Sequence, residues 1–89
     1  MTNESDSLLQ FPCPFPIKAM GHSSADFTEQ VWQIIQRHAP DTERSELRVR
    51  PSRNGKYLAV SITVNATSRT QLDGIYQELT AHEQVVMAL

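Results

Sequence analysis

An α+β fold is predicted for this chain, two layers thick, with a four-stranded antiparallel sheet on one side and two helices on the other. Three observations carry it. Residues 27–38 and 72–79 each place their apolar side chains in one helical stripe. Tyr57 to Ala66 alternates with period two, Leu58, Val60, Ile62 and Val64 on one face and Tyr57, Ala59, Ser61, Thr63 and Asn65 on the other. Between that stretch and a shorter strand-like run stands Asn54-Gly55, a hairpin signal because both residues accept the positive φ of tight turns. Placing the remaining segments around these gives βαββαβ in 89 residues, ending in a strand over 83–89.

Each element has its own signal. Prolines at 12, 14 and 16 remove backbone donors and exclude a helix, so the first ladder-competent strand is expected over about Phe15 to Met20, with Gly21 ending it. Ser23 or Ser24 is the expected N-cap of the first helix, and Asp26 and Glu29 lie where acids meet the positive end of its dipole. Its stripe is Phe27, Val31, Ile34, Ile35 and His38, and Pro40 stops it. Leu47 and Val49 alternate with Arg48 and Arg50 in a short strand expected to be half-buried, closed by Pro51. Ser68 with Gln71 forms a capping-box pattern, and Leu72, Ile75, Tyr76 and Leu79 give the second helix over about 69–81.

Two helices with one apolar stripe each can cover only one face of a four-stranded sheet. Right-handed crossovers then favour the split βαβ, ferredoxin-like arrangement with strand order 4-1-3-2. In that topology the loops at 21–24, 52–56 and 81–83 share one end, which brings together Gly21, His22, Arg53, Lys56 and His82. The uncovered face should present Lys18, Met20, Arg48, Arg50, Tyr57, Ala59, Ser61 and Thr63.

Size and composition narrow the function classes. A chain this short makes one small core and has no room for a buried active-site cavity, since such domains bury only roughly 60–65% of their unfolded surface. Residues 1–8 are polar and acidic and are expected to form a solvated tail, with a single domain over 9–89. A net charge of −2 argues against general polyanion binding, although Arg44, Arg48, Arg50, Arg53 and Lys56 crowd between 44 and 56. No apolar run reaches the roughly 18 residues of a membrane span, Met1 to Ser7 are acidic and polar where a signal peptide would be cationic, and Cys13 has no cysteine to pair with. A cytoplasmic location is the simplest expectation.

A wider pattern links these segments. Phe11-Pro12 with Pro14-Phe15, Lys18, Met20-Gly21, Arg37-His38-Ala39-Pro40, Pro51-Ser52, Gly55-x-Tyr57, Val60-Ser61-Ile62-Thr63, Asn65-Ala66, and Leu72 with Tyr76 together resemble the YbeD family of small bacterial proteins, over about residues 8–89. The resemblance implies a ferredoxin-like fold similar to the ACT regulatory domains of amino-acid metabolism. That family is sometimes labelled a proposed lipoate regulatory protein, a label resting on gene neighbourhood, and the resemblance implies no known activity. The resemblance does not extend to Arg53, Lys56, Leu58 and Cys13, so it supports no site argued from those side chains.

No catalytic or metal-binding residue is assigned and no cofactor is expected. His22 and His82 fall at one end, but zinc sites need three or four ligands at tight spacing. His38, at a helix C-terminus, suits a cap. Cys13, between prolines, has neither a base nor a group to lower its pKa. Ser61 and Thr63 suit cross-strand pairing. Nucleic acid is an unfavoured partner, because the sheet offers one aromatic where an RNA-binding platform stacks bases on several.

Two readings of function stay open from the residues. One is a non-enzymatic regulatory or adaptor domain that senses a small anionic metabolite in an ACT-like manner. Its candidate effector site is the turn Gly21, His22, Ser23 and Ser24, where glycine lets backbone approach and a helix N-terminus offers N–H groups. That reading requires Gly21 to be left uncovered by the chain itself. The other is a protein-interaction module binding an enzyme through the open sheet face, with Lys18, Arg48, Arg50 and Tyr57 as the candidate contacts. Self-association through a sheet edge or that face is compatible with both.

Overall fold

A computed structural model describes residues 9–89, so the tail expected over 1–8 lies outside the described residues. The order is β1 (Cys13–His22), α1 (Phe27–His38), a 3-10 turn (Arg44–Glu46), β2 (Arg48–Pro51), β3 (Tyr57–Ala66), α2 (Arg69–Ala81) and β4 (Val85–Ala88). The strands form one antiparallel sheet, β2-β3-β1-β4, which is the predicted order read from the other edge. Both helices pack on one face, over β1, β3 and β4. Between the layers lies a single core that includes Ile17, Phe27, Ile35, Val60, Ile62, Ile75 and Leu79.

The first strand is longer than its prolines suggest, running from Cys13 to His22 instead of Phe15 to Met20. The reason is parity. Lys18 exchanges both backbone hydrogen bonds with Leu89, N to O at 3.0 Å and O to N at 2.8 Å, so even-numbered residues of β1 direct their polar groups away from β3. Pro14 and Pro16 share that parity, and their missing donors cost nothing in the β1–β3 ladder, which pairs without interruption from Cys13↔Ala66 to His22↔Tyr57. The same prolines deny donors to any strand that might add along that part of the edge. Gly21 lies inside the strand, beside a register shift against β4.

Helix α1 starts later than expected. Asp26, not Ser23 or Ser24, occupies the N-cap position, and its side chain makes no capping hydrogen bond. Ser23 instead donates through Oγ to the Gly55 carbonyl at 2.6 Å, and its N–H donates to the Lys56 carbonyl at 2.9 Å. These bonds hold the chain extended toward the β2–β3 hairpin until after Ser24. Phe27, Val31, Ile34 and Ile35 are buried as the stripe predicts. Helix α2 starts where its capping pattern places it: the Gln71 N–H donates to Ser68 Oγ at 3.0 Å, while Gln71 Oε1 accepts from the Thr67 N–H at 2.8 Å. The hairpin turns at Gly55, whose φ of +74° lies in the left-handed region.

Strand β2 corrects a further expectation. It runs over Arg48–Pro51 and is exposed throughout, with Val49 43% exposed, where a half-buried strand including Leu47 was expected. Alternation reveals which residues share a face, but the helices pack mainly over β1, β3 and β4, and the inner side of this edge strand stays wet. Leu47, just before it, packs on the core. At the opposite edge, β4 is shorter than the predicted 83–89 and leaves Val86 and Met87 exposed.

The helices are tied to each other by a cluster spanning about 40 residues of sequence. Glu78 accepts hydrogen bonds from Arg37, and its Oε1 lies 2.7 Å from His38 Nε2. The His38 ring lies so close over Gly74 that a Cβ there would be 2.9 Å from it. His38 is thus an interhelical contact, and its carbonyl is capped by Gln71 Nε2 at 2.9 Å. The Arg37 guanidinium, with His38 adding to it, holds the Glu78 carboxyl down at about 2, against an ordinary 4.5. A depressed carboxyl contributes stability that is complete above its unfolded pKa and is lost as pH falls through the folded one. Glu78→Gln should therefore destabilise the protein near neutral pH, and its gap from wild type should narrow between about pH 4.5 and about pH 2. Urea unfolding at several pH values measures this, and an unchanging gap would show that the ion pair contributes nothing.

Candidate functional site

The end that the topology assembles is real, and the chain occupies much of it. His22 and Tyr57 are cross-strand partners whose rings lie 4.8 Å apart, and Lys56 Nζ sits 5.6 Å from the Tyr57 ring centre. On the helix side, Gln84 Nε2 donates to Ser24 Oγ and Asp26 Oδ1, each at 3.2 Å. His82 Nδ1 accepts from the Gln84 N–H at 3.1 Å. Hydrogen bonds from Gln84 and Ser24 lower the Asp26 carboxyl below its ordinary value, so the turn presents an anion of its own. Sequence reasoning placed Asp26 in the helix and overlooked Gln84, which closes this end from 60 residues away.

Gly21 does not meet the condition set for an effector turn. It is buried, and a Cβ built on it would clash with the Gln84 carbonyl oxygen and lie 2.7 Å from Phe27 Cζ. The close approach that glycine permits is used by the chain's own β4 segment and the first side chain of α1. Ser23 and Ser24 likewise spend their polar groups on Gly55, Lys56 and Asp26.

The open sheet face is different. The β1–β3 and β2–β3 registers set Lys18, Ser61 and Arg48 in one cross-strand row and Met20, Ala59 and Arg50 in the next. Small side chains on β3 thus lie between long ones on β1 and β2, and the result is a depression of about 320 Å³ lined by Lys18, Arg48, Arg50, Ala59 and Ser61. Two further hollows adjoin it. One of about 270 Å³ shares Lys18 and Ser61 and adds Pro16, Ile17 and Leu89. The other, about 180 Å³, shares Arg50 and Ala59 and adds Met20, Pro51 and Tyr57 among others. Three of the four candidate contacts, Lys18, Arg48 and Arg50, therefore meet in one hollow, and Tyr57 lies in the next. Leu89 and Pro51 were not foreseen there, because their positions depend on edge pairing.

Charge is segregated across the two layers. The basic residues with carboxylate partners, Arg37, Arg44 and Arg69, all belong to the helices or the 3-10 turn. Lys18, Arg48, Arg50, Arg53 and Lys56 have no carboxylate partner among the described residues, and all lie in strands or the hairpin. No aspartate or glutamate occurs within the four strands. A chain of net charge −2 thus presents a cationic sheet. Among the described residues no three His, Cys, Asp or Glu side chains converge to hold a metal ion. Cys13 is half-buried at the start of β1. No helix among the described residues is long and apolar enough to cross a membrane.

Comparison with known proteins agrees with this architecture. A UPF0250 protein of Nitrosomonas europaea is 52% identical over 89 residues, all of both chains. One from Chromobacterium violaceum is 42% identical over the same span. Among solved structures, protein HP0495 from H. pylori superimposes with a TM-score of 0.69 at 13% identity, covering 91% of this chain and 85% of that one. The ACT domain from the GTP pyrophosphokinase of Chlorobium tepidum gives 0.65 at 14% identity, covering 85% and 84%. At such identities the two structures speak to fold, and both share the ferredoxin-like arrangement that the YbeD-like residue pattern implies. The profile of DUF493, a protein family of unknown function, matches residues 6–89, and with relatives this similar along its whole length the chain belongs to that family.

Proposed function

We propose that this protein is a non-enzymatic regulatory or adaptor domain that works by docking on a partner protein through its open sheet face. The observation that carries the reading is the row of cations there: Lys18, Arg48 and Arg50 line one hollow with no carboxylate among the described residues to neutralise them. Unpaired charge on a flat, uncovered face favours fast, oriented encounter with a surface of opposite sign. The fold shared with an ACT domain fits a regulatory role, since such a domain is part of a GTP pyrophosphokinase. Metabolite sensing at Gly21, His22, Ser23 and Ser24 is the weaker reading, because Gln84, Phe27 and Asp26 take the space and the charge an anion would need.

Photocrosslinking in cells tests the docking surface. Benzoylphenylalanine in place of Thr63, on the open face, should yield a discrete adduct that disappears when Lys18→Glu and Arg50→Glu are combined. The same probe at Gln77, exposed on α2, should not yield it. An adduct from Gln77 alone, or one from Thr63 indifferent to the charge reversal, would overturn the reading.

A further inference from the structure

The three hollows on the sheet face form one track, and its chemistry changes along the way. The central hollow shares Lys18 and Ser61 with the one bounded by Pro16 and Leu89, and Arg50 and Ala59 with the one bounded by Met20 and Tyr57. The middle is cationic, and the two ends are lined mainly by apolar groups. Leu89, facing Lys18 across the β1–β4 pairing, is 61% exposed, so one apolar end is open to contact.

We propose that this track binds an extended segment of the partner protein in which one acidic residue is flanked, two positions away on each side, by apolar residues. The inference rests on the sheet-face reading above and names the partner's chemistry. In an extended chain, residues i, i+2 and i+4 project to the same side at spacings of about 6.6–6.8 Å. The central carboxylate then meets Lys18, Arg48 and Arg50, and the flanking side chains enter the two apolar hollows. Ala59 and Ser61, as a floor of small side chains, let the segment approach the sheet.

Charge complementarity selects this occupant over the others. A second copy meeting face to face would set the same cations against each other, which opposes association. Single-stranded nucleic acid needs free aromatic faces for its bases. The rings on this face, His22 and Tyr57, lie against each other at its end, with Lys56 over Tyr57.

The test uses the full chain and a fluorescein-labelled peptide of seven residues, leucine at its second and sixth positions, glutamate at its fourth and threonine elsewhere. Fluorescence anisotropy should show saturable binding, weakened about tenfold when glutamine replaces the glutamate and by a similar factor when serine replaces either leucine. Lys18→Glu with Arg50→Glu should abolish binding of this peptide and create binding of one with lysine at the fourth position. Neither wild-type side chain is bonded to another of the described residues, so the double variant should keep its fold, which circular dichroism verifies. Equal affinity for the glutamine peptide, or tighter binding of oligouridine than of the glutamate peptide, would overturn the proposal. Failure of the peptide while the Thr63 adduct persists would remove the acidic-segment inference and leave the docking surface. Loss of both would remove the docking surface as well.

Discussion

Replacing Gly21 by alanine is expected to destabilise the protein by about 3 kcal/mol, the upper end of what overpacking a well-filled interior costs. The new Cβ would clash with the Gln84 carbonyl oxygen and with the Phe27 ring. A backbone oxygen beside a strand cannot swing aside as a side chain does, so the β4 segment must shift. In a domain of this size, 3 kcal/mol lowers Tm by on the order of 12–24 °C. Gly55→Ala separates this effect from backbone strain. No atom would lie within 4 Å of its Cβ, and only the left-handed φ of +74° is penalised, at about 1–2 kcal/mol. Urea unfolding of both variants makes the comparison. If Gly21→Ala cost no more than Gly55→Ala, the space beside Gly21 would be free, and the turn would regain its standing as an effector site.

The second large effect is expected at Phe27. Its ring is fully buried, at the first position of α1, between the helix layer and the end of β1 that contains Gly21. Truncation to alanine removes the largest core side chain and leaves a cavity that the sheet cannot collapse into, at a cost of about 3–5 kcal/mol. That is a large part of the 5–15 kcal/mol typical of a domain. The two sites are also coupled through contact. Combining Phe27→Leu with Gly21→Ala should give less destabilisation than the sum of the two, because a smaller side chain relieves one clash. Relief should be incomplete, since the Gln84 carbonyl remains. Strict additivity in that cycle would contradict the contact.

How much of this could be read from the residues varies with the range over which they interact. Strand β3 and helix α2 run over the spans expected for them, because period-two alternation and a Ser68–Gln71 cap are local signals. The start of α1 was not local: Ser23 is drawn off to Gly55, 32 residues away, and only the assembled hairpin reveals it. The prolines of β1 do not shorten it, since the effect of each depends on which neighbour its N would face. Gly74 left a hint, as a glycine inside a helix costs stability and commonly marks a close approach, here by His38.

The candidate sites divide in the same way. The cluster of basic residues over 44–56 was visible as a count. Its union with Lys18 was implied by the strand order, and the register made it a single hollow. Sharing an end was likewise predictable for Gly21, His22, Lys56 and His82. What fills that end depends on the Gln84 side chain and carbonyl, which no pattern in the sequence marks.

The claim that the cationic sheet face, not the Gly21–Ser24 turn, is the working surface has a direct measurement. The full chain, labelled with ¹⁵N, is mixed with clarified bacterial lysate, and amide line broadening is mapped residue by residue. Broadening is predicted at Lys18, Arg48 to Arg50 and Ala59 to Ser61, and it should vanish in the Lys18→Glu, Arg50→Glu variant. Broadening confined to Gly21, His22, Ser23 and Ser24, or to the outer faces of α1 and α2, would contradict it.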